Sequence, residues 1–157
     1  MAIKIKSEYY FFEEDAEAVG TFAILWAAFE KKYFDRECKM DLIKKSRICD
    51  YNQDILHSAE ELRNCIMAFA GNDYAYAVES LRLKEKDIPD IQKFIQAQEA
   101  LQDEKRIKSA LMICCRIRNN MFHGEKDIYT LPNQRPLFCA CIDLLDELLS
   151  SNAKISQ

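Results

Sequence analysis

The sequence predicts an all-α fold, an antiparallel up-and-down bundle of four to five main helices. Three observations predict it. Apolar residues recur at steps of three and four along most of the chain, the interval that puts them on one helical face. Only 3 glycines and 3 prolines punctuate 157 residues, so long segments run without breakers. No segment of roughly 20 to 50 residues repeats, which argues against a stacked solenoid. With 49% apolar and 31% charged residues the composition is globular, and the length suits one domain over residues 1–157 with a core of its own.

The alternation in Ala2 to Lys6 is too short for a confident strand, so residues 1–6 are expected as a loosely ordered tail. From about Ser7 to Phe34 the pattern is helical, with Phe22, Leu25, Trp26, Phe29 and Tyr33 on the apolar face and Gly20 a point where it loosens or is interrupted. A second helical stretch starts near Met40 and breaks at Asp50–Asp54. Ile55, Leu62, Cys65, Ile66 and Phe69 form the next stripe, stopped at Ala70-Gly71-Asn72. Asp73 caps a helix with Tyr74, Ala77, Val78 and Leu81 on one face, which the run to Ile88-Pro89 closes. Ile91, Phe94 and Ile95 belong to a short helix, and a long one follows over about residues 103 to 123, with Ile107, Ala110, Leu111, Cys114 and Ile117 along its seam. Gly124 is a candidate C-terminal cap, and Pro136 suits the first turn of a last helix whose buried face is Leu137, Cys141, Leu144, Leu145 and Leu148. Residues 150–157 are expected to fray.

No apolar run reaches the ~18 residues of a membrane span, and Met1 to Glu8 lacks a signal-peptide core, so the expectation is a cytoplasmic protein without a membrane partner. The 7 cysteines are odd in number, show no C-x2-C pair and sit mostly among apolar residues, so core thiols are expected and no metal site. Cys139 and Cys141 would point about 200° apart on a helix and make a poor chelate. A net charge of −4 speaks against indiscriminate polyanion binding, yet between residues 105 and 126 Lys105, Arg106, Lys108, Arg116, Arg118 and Lys126 face Glu125 alone. A local RNA-binding element and a merely solvated helix face both remain open for that run.

The run Ile117 to Gly124 (sequence IRNNMFHG) closes the long helix and carries the most specific chemistry. His123, one of 2 histidines, can both take and give a proton near neutral pH. The helix C-terminus favours imidazolium and Arg118 opposes it, a balance suited to proton transfer. Arg118 carries a permanent forked charge fit for a phosphate that gains charge in a transition state. Asn119 lies four residues before His123, on its helical face. Arg118 lies about 140° away around the helix, so only its long side chain reaches the same site. The ordinary alternative is a helix-end histidine bonded to last-turn carbonyls, with Arg118 in a surface ion pair. His57 is expected to be a solvated helix residue, and Trp26 a core one.

The residues RNNMFHG resemble the R-x4-H motif of the HEPN superfamily, small all-helical domains found in many ribonucleases and in toxins of prokaryotic defence and mobile-element systems. The match includes the polar Asn119 after the arginine and the Phe-His-Gly at the helix end. A second segment agrees: Phe22 to Tyr33 resembles the superfamily's early helix, with Glu30 where many members carry Asn or Asp. The resemblance implies a helical bundle and metal-independent RNA cleavage by attack of the 2′-hydroxyl, leaving a 2′,3′-cyclic phosphate without any cofactor. It implies a homodimer in which two motifs share a cleft, with Arg118, Asn119 and His123 as catalytic residues and Glu30 approaching from a neighbouring helix. Asn120, Arg116 and Lys126, beside the motif, are expected to touch RNA. A role as toxin or defence effector follows, with an antitoxin protein as a possible partner; Glu125 stands where some members carry a tyrosine that a partner enzyme modifies. The alternative is a non-catalytic HEPN-like module that binds RNA, a nucleotide or a protein.

Overall fold

The fold is all-α, with seven helices and two minimal two-stranded ribbons among the described residues. The computed structural model describes residues 2–4, 10–97, 99–122 and 131–157, and the side chains of 13–97, 99–121 and 134–157. Helix α1 (Glu13–Tyr33) opens on Glu13, Glu14 and Asp15 and closes on Lys31 and Lys32, the charge order that the helix dipole favours. It runs unbroken through Gly20, against the interruption expected there. Its buried stripe of Ala18, Phe22, Trp26 and Phe29 carries rings in tilted contact, with centroids of Phe22 and Trp26 at 6.5 Å, of Trp26 and Phe29 at 5.1 Å, and of Phe22 and Phe138 of the last helix at 6.2 Å.

Two expected tails are paired. Ala2–Lys4 (β1) pairs antiparallel with Tyr10–Phe12 (β2), so the first helix begins at Glu13 and not near Ser7. At the other end Lys154–Ser156 (β4) pairs with Arg47–Cys49 (β3), which interrupts the second helical stretch after α2 (Met40–Lys45). Ile48 inserts into the core at 4% exposure and its N–H donates to Glu104 Oε1 at 2.9 Å, which anchors the ribbon that the C-terminal residues join. Tyr33 Oη donating to the Leu148 carbonyl at 2.8 Å holds the preceding turn.

Helix α3 (Gln53–Phe69) starts where Asn52 Oδ1 accepts the Ile55 N–H at 3.0 Å and stops at Gly71, whose φ of +63° suits a residue without Cβ. Asp73 caps α4 (Tyr74–Ser80) by accepting the Tyr76 N–H at 3.0 Å, as its position in the sequence predicts. Pro89 opens α5 (Ile88–Ile95) and does not close α4, because a helix start needs no N–H from its first residues. A 3₁₀ turn at Glu85–Asp87 leads into it. Helix α6 (Asp103–Phe122) buries Ile107, Ala110, Leu111, Cys114 and Ile117 as expected, and also Met112, Ile113 and Cys115, which makes it the most enclosed helix. Helix α7 (Leu131–Ser150) buries Leu137, Cys141, Leu144, Leu145 and Leu148. Pro136 lies inside it, since the helix begins five residues earlier and Pro132 takes the early position.

The long helices lie side by side in the order α1, α7, α3, α6, with α2 and α5 packed on the outer face of α6. Among the described residues no helix is long and apolar enough to cross a membrane. Of the thiols, Cys38, Cys114, Cys115 and Cys141 are buried as expected, whereas Cys49 and Cys139 are exposed. The exposure of Cys139 beside buried Cys141 shows the two on different helix faces.

Candidate functional site

The last two turns of α6 hold Arg116, Arg118, Asn119 and Asn120, and their successive 100° steps send them to different neighbours. Asn119 Nδ2 donates to Cys115 Sγ, one turn back, at 3.8 Å. Arg118 Nη1 donates to Asn119 Oδ1 at 3.1 Å, so the guanidinium does curl toward the asparagine face. Cys115 Sγ in turn donates to the Cys38 carbonyl at 3.9 Å. The Cys38 N–H donates to Glu30 Oε2, near the end of α1. Glu30, Cys38, Cys115, Asn119 and Arg118 thus form one connected chain of contacts drawn from α1, the loop after it and α6.

The thiols of the two cysteines in that chain are held neutral. Burial pushes Cys38 up to about 12, with further contributions from Cys115 and Glu30. Burial likewise pushes Cys115 up to about 11, opposed by Arg118 and by the Asn119 hydrogen bond. Neither is a thiolate nucleophile near neutral pH; Cys115 links the network through its thiol and Cys38 through its backbone N–H and carbonyl. Arg118 and Glu30 act on the Cys115 thiol in opposite directions, the guanidinium lowering it and the carboxylate raising it.

A cleft of about 270 Å³ opens beside Asn119. Lys39, Lys84, Lys86 and Arg116 line it together with Glu37, Asp41 and Asp87. Two of these carboxylates are already engaged: Asp41 pairs with Lys86 at 3.0 Å, and the buried Asp87 pairs with Lys44 at 3.0 Å. The hydrogen bond from Lys86 lowers the Asp41 carboxyl and raises the Lys86 ammonium. Among the described residues Lys39 and Lys84 have no ion pair, so the rim carries cations open to an anion.

Three expected RNA contacts fare differently. Asn120 is buried at 6% exposure, and its Nδ2 donates to the Leu81 carbonyl at 3.1 Å. One residue past Asn119 the helix has turned it into the interior, so it fastens α6 to the end of α4 and is not presented at the cleft. Arg116 Nε donates to the same carbonyl at 3.2 Å while its side chain borders the cleft. Lys126 lies outside the described residues, as do His123 and Gly124.

The basic run of α6 divides as well. Arg106 is committed to Glu60 at 3.0 Å and to the Leu101 carbonyl at 3.1 Å, and Lys108 to the Lys44 carbonyl at 2.7 Å. These cations stitch elements together, whereas Lys105 is exposed. Among the described residues no three His, Cys, Asp or Glu side chains cluster to hold a metal ion. His57 is exposed and Trp26 is buried at 2%, as expected.

Sequence reasoning missed the two cysteines that join Glu30 to Asn119 and the lysines of the 84–86 turn. The turn's charge run was visible, but nothing in it indicates that it folds back onto α6. No protein-family model, curated protein or solved structure matches this chain.

Proposed function

We propose that this protein is a metal-independent endoribonuclease of the HEPN type, working as a homodimer with a composite site. The observation that carries the reading is the contact from Arg118 to Asn119, which itself lines a cation-rich cleft one helical turn before the motif histidine. The link from Asn119 to Glu30 through Cys115 and Cys38 supports it, because Arg118, Asn119 and Glu30 belong to one network, whereas Asn120 packs against the Leu81 carbonyl.

RNA contains its own nucleophile in the 2′-hydroxyl. His123 takes the 2′-hydroxyl proton, the 2′-oxygen bonds to phosphorus, and the bond from phosphorus to the 5′-oxygen breaks. The leaving oxygen receives a proton from the partner subunit's His123, giving a 5′-hydroxyl and a 2′,3′-cyclic phosphate. Arg118 stabilises the charge gathered on the non-bridging oxygens, and Asn119 fixes the guanidinium. Two copies are needed because one imidazole cannot serve both transfers at once. A toxin or defence effector acting in the cytoplasm, restrained by an antitoxin protein, is the biological setting this chemistry suits.

Incubation with total RNA in EDTA tests the proposal. Fragments ending in cyclic phosphate are expected, and they disappear in Arg118→Ala. Tight RNA binding with no cleavage would instead identify a non-catalytic RNA-binding module.

A further inference from the structure

A larger cleft of about 430 Å³ lies on the same outer face of α6, lined by Lys44, Lys93, Lys105 and Lys108 with Asp90 the one carboxylate among its walls. Leu101 and the buried Met112 give it an apolar floor, and Ser109 and Gln102 add hydrogen-bonding groups. Lys93 and Lys105 are exposed, and among the described residues neither has an ion pair. Lys44 is paired with Asp87 at 3.0 Å and lies 3.9 Å from Asp90, and Lys108 donates to the Lys44 carbonyl, so Lys93 and Lys105 are the charges this hollow offers to an anion.

The two clefts share their walls. Helix α2 contributes Met40 and Asp41 to the cleft beside Asn119 and Lys44 to the larger one. The 3₁₀ turn contributes Lys84, Lys86 and Asp87 to the first, and α5, directly after it, contributes Asp90 and Lys93 to the second. Helix α6 supplies Arg116 and Asn119 to one and Lys105 and Lys108 to the other. Lys108 and Asn119 are separated by three helical turns, so they point the same way about 16 Å apart at ~1.5 Å per residue. The Lys44–Asp87 ion pair at 3.0 Å is the saddle between the hollows.

We infer that the two clefts form one trough for a single strand of RNA, with the motif end cutting and the lysine end gripping the backbone several nucleotides away. The cations are spread along three elements, which fits a chain of phosphodiesters better than one compact anion. This rests on the ribonuclease reading for its substrate, but the grip is testable without cleavage.

The test is fluorescence anisotropy with 2′-deoxy oligonucleotides, which lack the internal nucleophile, comparing a long probe (about 12 nucleotides) with a short one (about 4) whose reach is the motif cleft alone. Lys93→Glu combined with Lys105→Glu should weaken the long probe at least tenfold and flatten its salt dependence by about 1.4 in log–log slope, the effect of two lost phosphate contacts at ~0.7 each. The short probe should bind as before, and the melting temperature should hold because both lysines are exposed. On cleavable RNA the same variant should raise KM and spare kcat. Undiminished binding of the long probe by the variant overturns the inference, as does saturable binding of inorganic pyrophosphate without binding of the oligonucleotide. If the long probe binds through these lysines but RNA is never cut, the grip stands and the ribonuclease reading fails.

Discussion

Cys115 on α6 donates its thiol hydrogen to the backbone carbonyl of Cys38 at 3.9 Å, joining residues 77 positions apart. Because Asn119 donates to the same sulfur and Glu30 accepts from the Cys38 N–H, this contact sets the spacing between the arginine end and the glutamate end of the site.

Both thiols are buried and protonated, so they should resist alkylation. With iodoacetamide at pH 8, Cys49 should label first, and Cys38 and Cys115 only after denaturant is added. Peptide mass spectrometry reads the order; early labelling at Cys115 would show that the network opens readily.

The same burial sets a pH limit on stability. The folded-state values lie near 12 for Cys38 and 11 for Cys115, above the ordinary 9.0, so the unfolded chain releases these protons first. Their contribution is therefore constant below about pH 9 and is lost as pH rises from there through the folded values. Urea midpoints should fall above pH 9, and less steeply in Cys38→Ala combined with Cys115→Ala. Parallel curves would contradict the assignment.

Glu30 accepts a backbone N–H, a task that glutamine can also perform. Glu30→Ala should slow RNA cleavage about tenfold or more by releasing the loop that carries Cys38, and Glu30→Gln should recover most of the rate, as expected of a positioning residue. Failure of glutamine to rescue would show that the negative charge itself is needed.

Asn120→Ala removes a buried hydrogen bond to the Leu81 carbonyl, which keeps Arg116 as a donor. A stability loss of about 1 kcal/mol is expected, with RNA affinity unchanged. Lost affinity at unchanged stability would restore Asn120 as an RNA contact.

The sequence announced what is periodic and local. The stripes of α1, α6 and α7, the Asp73 cap and the stop at Gly71 each depend on residues within a few positions of one another, and the chain folds accordingly. The ribbons were hidden because three-residue strands carry almost no periodic signal, and Ile48 finds Ile155 across more than a hundred residues. Pro89 misled because a proline marks a helix start as well as an end. At the site, the positions of Arg118 and Asn119 follow from helix geometry. Asn120 was misplaced because one further 100° step decides between cleft and interior, and the seam that decides it was broader than the pattern implied.

The most direct measurement is the cleavage rate of a defined RNA in EDTA by wild type and by His123→Ala, with unfolding followed in parallel. The rate should fall by at least about a hundredfold, as for loss of a general acid and base, with stability unchanged. Equal rates for the two proteins would contradict the assignment of this site to RNA cleavage.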